Sequence, residues 1–149
     1  MTEVHYSVPR RDVYHQTVAH ALEMDGWTIT HDPLSYRLND DQIFIDLGAE
    51  RFIGAERGTR KIAVEVKSFI GVSPLTDLQE AIGQYVLYRE FLEEIEPDRV
   101  LVLAVPESAA SLFERRIGRK VVQTQNLTVI VYNANEEVIL RWLPQPPDL

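Results

Sequence analysis

The stretch Ile62-Ala63-Val64-Glu65-Val66-Lys67 most narrows what this chain can fold into. Its β-branched positions predict a strand from Lys61 to Phe69, and a strand sends alternate side chains to the same face. Glu65 and Lys67 therefore project together, while Val64 and Val66 point the other way. An acid and a lysine ending an otherwise apolar strand are costly to place unless they bind something. A second strand, Gln42 to Leu47, is predicted to carry Ile43, Ile45 and Leu47 on one face and Phe44 and Asp46 on the other. Two such strands can turn Asp46, Glu65 and Lys67 toward one point.

Around these strands the chain alternates between helical and extended patterns. Residues 1–8 read as a loose arm, and Pro9 suits a first helical turn. Arg10 to Asp25 has helical spacing, with Tyr14, Val18, Ala21 and Leu22 as its apolar stripe and Gly26 as its stop. Trp27 to Ile29 begins a strand, turned or kinked by Asp32-Pro33. Gly48 to Arg60 mixes glycines with charges and reads as a hairpin connection. Ser73-Pro74 starts a helix through Leu78, Ile82, Tyr85 and Leu92, which stops before Pro97. Arg99 to Val105 is suited to a buried strand. A third helix is expected over Ser108 to Val121. Strands Leu127 to Tyr132 and Glu137 to Leu143 then form a hairpin around Asn133-Ala134-Asn135. Pro144 to Leu149 reads as a tail. The order predicts an α/β sandwich with a mixed central sheet.

At 149 residues the chain fits one domain, 1–149, large enough for a proper core. With 45% hydrophobic and 26% charged residues it falls in the globular class, and no apolar run reaches the length of a membrane span. No signal-peptide pattern is read at the start. The absence of cysteine excludes disulfides, thiol catalysis and cysteine zinc sites, and fits a cytoplasmic protein.

Two carboxylates within mutual reach suit Mg²⁺ or Mn²⁺, since hard cations take oxygen ligands. A lysine beside such an ion can activate water or steady a phosphate under attack. Asp46, Glu65 and Lys67 thus suggest metal-dependent phosphodiester hydrolysis. The net charge of −8 opposes tight unaided binding to DNA, whose affinity comes largely from lysine and arginine on phosphates. It does not oppose catalysis, because bound divalent ions invert the local field.

The motif and element order together resemble the PD-(D/E)XK nuclease superfamily, with its restriction-endonuclease-like α-β-β-β-α-β core. Asp46 matches the first acid and Glu65-Val66-Lys67 the (D/E)XK element; Ile45 stands where the superfamily name has proline. More narrowly, residues 10–143 resemble the XisH family, the excision-controlling factor of the cyanobacterial fdxN element. The residues carrying this are Arg11-Asp12-Val13-Tyr14-His15, Ala21-Leu22, Asp25 to Thr30, Asp32-Pro33, Asp46 to Glu50, Ala63 to Phe69 and Gly83-Gln84-Tyr85. The resemblance implies a role in heterocyst-linked DNA rearrangement, beside a site-specific recombinase and a small companion, XisI.

The superfamily resemblance also implies roles for further residues. Asp46 and Glu65, with the Val66 backbone carbonyl, would hold the metal, and Lys67 would act on water or phosphate. Related nucleases bring an acid from the first helix. Here His15 holds that position, readable as a metal ligand, phosphate contact or proton relay, or as a satisfied core histidine. Asp12 is a weaker alternative, and Glu23 belongs to the solvated side. Similar nucleases also orient the site with a glutamine from the second helix, which makes Gln84 a candidate ahead of Gln79 and Tyr85. Arg57, Arg60 and Lys61, and Arg115, Arg116, Arg119 and Lys120, form two basic clusters that could meet phosphates or simply face solvent. His5, His20 and His31 show no zinc-ligand spacing. Two readings follow: a DNA endonuclease, for which a homodimer would give access to two strands, or a catalytically silent accessory protein that binds XisI or the recombinase.

Overall fold

A computed structural model describes residues 12–55 and 57–146. The arm over 1–8 with His5, the helix start at Pro9 and Arg10, Arg11, and the last three tail residues lie outside them. The described elements are α1 (His15–Met24), β1 (Thr28–His31), β2 (Leu34–Leu38), β3 (Asp41–Ile45), β4 (Leu47–Gly54) and β5 (Gly58–Val66). They continue with α2 (Pro74–Ile95), β6 (Arg99–Pro106), α3 (Glu107–Glu114), α4 (Arg116–Thr124), β7 (Val129–Asn133) and β8 (Val138–Leu143).

Six strands form one sheet in the order β1-β4-β5-β6-β7-β8, and β2 and β3 pair as a separate two-stranded ribbon. β5, β6 and β7 run parallel, while β1, β4 and β8 join antiparallel, so the sheet is mixed. One apolar layer gathers Val18, Leu22, Leu47, Ile62, Val64 and Val66 under α1. The opposite layer gathers Ile43, Ile45, Ala63, Leu78, Leu103 and Phe113 under α2, α3 and α4. The architecture is an α/β sandwich with a mixed central sheet, the expected fold class.

Local chemistry explains most element boundaries. α1 ends at Asp25, and Gly26 follows at φ +92°, a conformation that suits glycine. Ser73 caps α2 by accepting the Thr76 N–H, with Pro74 at the first helical position. Asn133 Oδ1 accepts the N–H groups of Asn135 and Glu136, which closes the β7–β8 turn.

The structure corrects three expectations. Residues 48–60 are not a hairpin connection: Leu47–Gly54 is a strand, and the next strand begins at Gly58. The glycine-and-charge composition hid the strand. Leu47 and Ala49 are buried, whereas Gly48 leaves room for His31 and Arg99, whose atoms would stand 3.2 and 3.4 Å from an added Cβ. Ile43, Ile45 and Leu47 do not share a face, because the chain bends at Asp46 and passes from the small ribbon into the main sheet. The third helix is two helices broken at Arg115. An added Cβ on Gly118 would lie 2.0 Å from the Leu112 carbonyl oxygen, so glycine is what lets α4 fold back on α3.

Candidate active site

The site forms where β5 outruns β4. Leu47 stands opposite Val64, so β4 offers no backbone partner to the last residues of β5. Asp46 fills the gap with its side chain, and its Oδ2 accepts the Val66 N–H at 2.7 Å. On the other edge, the Lys67 N–H donates to the Ala104 carbonyl at 2.9 Å, which continues the parallel ladder one residue past the strand. That ladder fixes the backbone carrying Glu65 and Lys67. Lys67 Nζ lies 3.9 Å from Glu65 Oε1. The structure therefore brings Asp46, Glu65 and Lys67 into one place.

Their electrostatics are unusual. Glu65 is 7% exposed, and burial pushes its carboxyl up to about 9, with the Asp46 charge adding to the rise and Lys67 opposing it. Burial also raises Asp46, against the opposing effects of the Val66 N–H, the hydrogen bond to Glu65, His15 and Lys67. A buried carboxyl against a half-buried one resists carrying a second negative charge. At neutral pH the pair holds a proton between its members unless a cation takes that proton's place.

His15 enters this group from α1. It is 3% exposed; its Nε2 is 2.7 Å from Asp32 Oδ1, and its Nδ1 is 3.9 Å from Asp46 Oδ1. Nδ1, Glu65 Oε2 and Gln84 Oε1 are buried polar atoms without a hydrogen-bond partner among the described residues. Such atoms are rare in a folded interior, and two of them, His15 Nδ1 and Glu65 Oε2, belong to the group around Asp46. Gln84 sits on α2, one turn before Tyr88. The Tyr88 hydroxyl is pushed up to about 12 by burial and by the charges of Glu65 and Asp46.

The remaining candidates have other roles. Asp12 borders the site, lining a cavity of about 270 Å³ with Lys67, Ser68, Gly71, Asp77 and Glu80. Its two oxygens accept the Tyr14 and Ser68 N–H groups, so it ties the start of α1 to the segment after β5. Tyr85 is core: its hydroxyl donates to the Leu101 carbonyl and accepts from the Thr128 N–H. Glu23 and Gln79 are exposed. His20 pairs with Glu137, and His31 contacts Thr30.

One residue of this group escaped the sequence reading. Asp32, taken only as part of a turn, is the partner of His15, and no spacing rule connects positions seventeen apart across a loop.

The family model for XisH protein matches residues 8–140 of this chain. The crystal structure of an XisH family protein from Nostoc punctiforme superposes with a TM-score of 0.78 at 38% identity, covering 88% of this chain and 98% of that one. The crystal structure of a fdxN element excision controlling factor protein from Anabaena variabilis gives a TM-score of 0.78 at 39% identity, covering 89% and 98%. No curated protein matches the chain at a significant level.

Proposed function

The chain belongs to the XisH family, and we propose that it serves excision of a DNA element as a divalent-metal-dependent endonuclease of the PD-(D/E)XK kind. One observation carries this reading: the buried Glu65 lies against the half-buried Asp46, Glu65 is raised to about 9, and the Lys67 ammonium stands 3.9 Å away. Structural ion pairs do not need two adjoining carboxyls turned away from water, whereas sites that exchange a proton for a cation use them.

The donor set fits a hard cation. Asp46 and Glu65 supply carboxylate oxygens, one of them the unpartnered Glu65 Oε2, and the Val66 carbonyl would complete the protein ligands. Among the described residues no three His, Asp or Glu side chains converge as a metal cluster, so water and substrate oxygens would fill the remaining positions. When bound, Mg²⁺ or Mn²⁺ supplies Lewis acidity toward the scissile phosphate. Lys67 holds its ammonium against the developing phosphoryl charge. Gln84 offers Oε1 as an acceptor that orients the attacking water. Asp32 engages one nitrogen of His15 and thereby aims the other toward Asp46.

The acidic balance of −8 favours a second reading, in which the nuclease scaffold is silent and the protein works by binding an XisI-like companion or a site-specific recombinase. Supercoiled plasmid separates the two. The endonuclease reading expects Mn²⁺- or Mg²⁺-dependent nicking that disappears in a folded Glu65→Ala variant. Intact plasmid under both metals, with partner binding that survives Glu65→Ala, supports the accessory role instead.

A further inference from the structure

Arg115, Arg116, Arg119 and Lys120 are all exposed, and no ion pair holds any of them among the described residues. The adjacent acid, Glu114, is taken by Arg141. Unpaired cations are unexpected in a chain with 23 acidic and 15 basic residues. Their placement is unfavourable twice over. Arg115 and Arg119, Arg116 and Arg119, and Arg116 and Lys120 stand three or four residues apart, where like charges repel along a helix. Arg116 opens α4, whose first turn carries no acid, so the cations meet the positive end of the helix dipole. An arrangement that repels itself in the free protein is relieved by an anion.

Two cavities with Phe69 in common lead from Lys67 to Arg115, the first of these cations. Phe69 lines the 270 Å³ cavity that holds Lys67, and it also lines a second cavity of about 160 Å³ with Pro74, Ser108, Ser111 and Arg115. Phe69 is fixed there edge-on against Phe113, 5.8 Å between ring centres. The second cavity follows α3, about 12 Å long, from its start beside the sheet to Arg115. Its polar lining is hydroxyl and guanidinium, without a carboxylate. The other basic cluster lies elsewhere on the sheet. Lys61 lies within β5, about 20 Å along the strand direction from Lys67, and is engaged by Glu96 at 3.9 Å.

We infer that duplex DNA runs from the candidate site along these cavities, its phosphodiester backbone crossing Phe69, Ser108 and Ser111 to anchor on Arg115, Arg116, Arg119 and Lys120. The inference rests on the endonuclease reading for the direction of the track. Asp12 and Asp77, which accept the Ser68 and Gly71 N–H groups, and Glu80 make the Lys67 cavity acidic, so the anchoring charge comes from the α4 cations.

Fluorescence anisotropy with a labelled 30-base-pair duplex, repeated over a salt series, tests it on the full chain. Four phosphate contacts make the wild-type affinity fall about 150-fold more between 50 and 200 mM salt than that of a variant with all four cations changed to alanine. That variant should melt no lower than wild type, because it loses only mutual repulsion. Arg57→Ala with Arg60→Ala should bind as wild type does. Equal affinity and salt slope for wild type and the fourfold variant overturn the inference, as does absence of duplex binding by wild type. Plasmid nicking by wild type is scored separately. Nicking with an unchanged salt slope removes the track and leaves the endonuclease; a lost slope without nicking keeps the track and removes the hydrolase.

Discussion

Asp46 accepts the backbone N–H of Val66 through Oδ2 at 2.7 Å, which makes a side chain stand in for the strand residue that β4 lacks at this point. One oxygen of Asp46 is thereby tied to the β5 backbone. The carboxyl is held beside Glu65, and the two cannot separate to relieve their repulsion. The raised Glu65 is a direct result of this restraint and of burial, and it governs how the protein should respond to pH.

Glu65 is raised from the usual carboxylate range to about 9 in the folded protein. The unfolded chain therefore releases this proton near 4.5, while the folded protein keeps it to about 9. Stability from this group is complete below pH 4.5, falls as pH rises through the window, and levels off above about 9. The slope is at most about 1.4 kcal/mol per pH unit for one proton, and less where Asp46 shares it. Urea unfolding at intervals from pH 5 to 9 should show this decline, and Glu65→Gln should flatten it. An equally steep decline in the variant would remove Glu65 as its cause.

A divalent cation should reverse that pH trend. It competes with the shared proton, so Mn²⁺ should raise Tm more at pH 8 than at pH 6. At about 100 times Kd the stabilisation is about 2.7 kcal/mol, or about 5–10 °C for a chain of this size. Glu65→Gln should abolish most of the shift. Differential scanning calorimetry with and without Mn²⁺ reads this directly, and an equal shift in the variant would place the cation elsewhere.

Much of this was legible in the sequence, and the failures have definite physical causes. Alternation in Ile62 to Lys67 was enough to put Glu65 opposite to Val64 and Val66, because the strand is buried on both faces and its register cannot slip. Ser73-Pro74 marked the start of α2 because its cap is local. Leu47–Gly54 was hidden because its small and charged residues are chosen by contacts with His31, Arg99 and β5. Asp32 was hidden for the same reason: its role is set by His15 across space, and its neighbour Pro33 suggested only a turn.

Asp32→Asn should separate the supporting role of His15 from direct chemistry. The variant keeps the shape but loses a short contact between a carboxylate and a buried ring nitrogen. Stability should fall by about 1.5–3 kcal/mol, the usual range for a hydrogen bond to a charged group. Nicking activity should fall less than in Glu65→Ala, because Asp46, Glu65 and Lys67 keep their places. Urea unfolding and plasmid nicking on the same preparations provide the comparison. Loss of activity as complete as in Glu65→Ala would show that His15 does more than pack beside the pair.

Gly118→Ala tests the corner that presents the basic helix. The added methyl carbon would lie 2.0 Å from the Leu112 carbonyl oxygen and 2.8 Å from the Phe113 Cα, both backbone atoms that cannot swing aside. Relief requires α4 to lift from α3, which opens the packing of Phe113 and Val122 beneath it. The cost should reach about 3 kcal/mol, at the upper end for overpacking, and lower Tm by about 6–12 °C. Gly83→Ala on α2 is the matched control, since an added Cβ there meets nothing within 4 Å, and alanine favours a helix over glycine by about 1 kcal/mol. Thermal unfolding of the two variants should therefore move in opposite directions from wild type; a Gly118→Ala protein as stable as wild type would mean that the α3–α4 corner is not held by this contact.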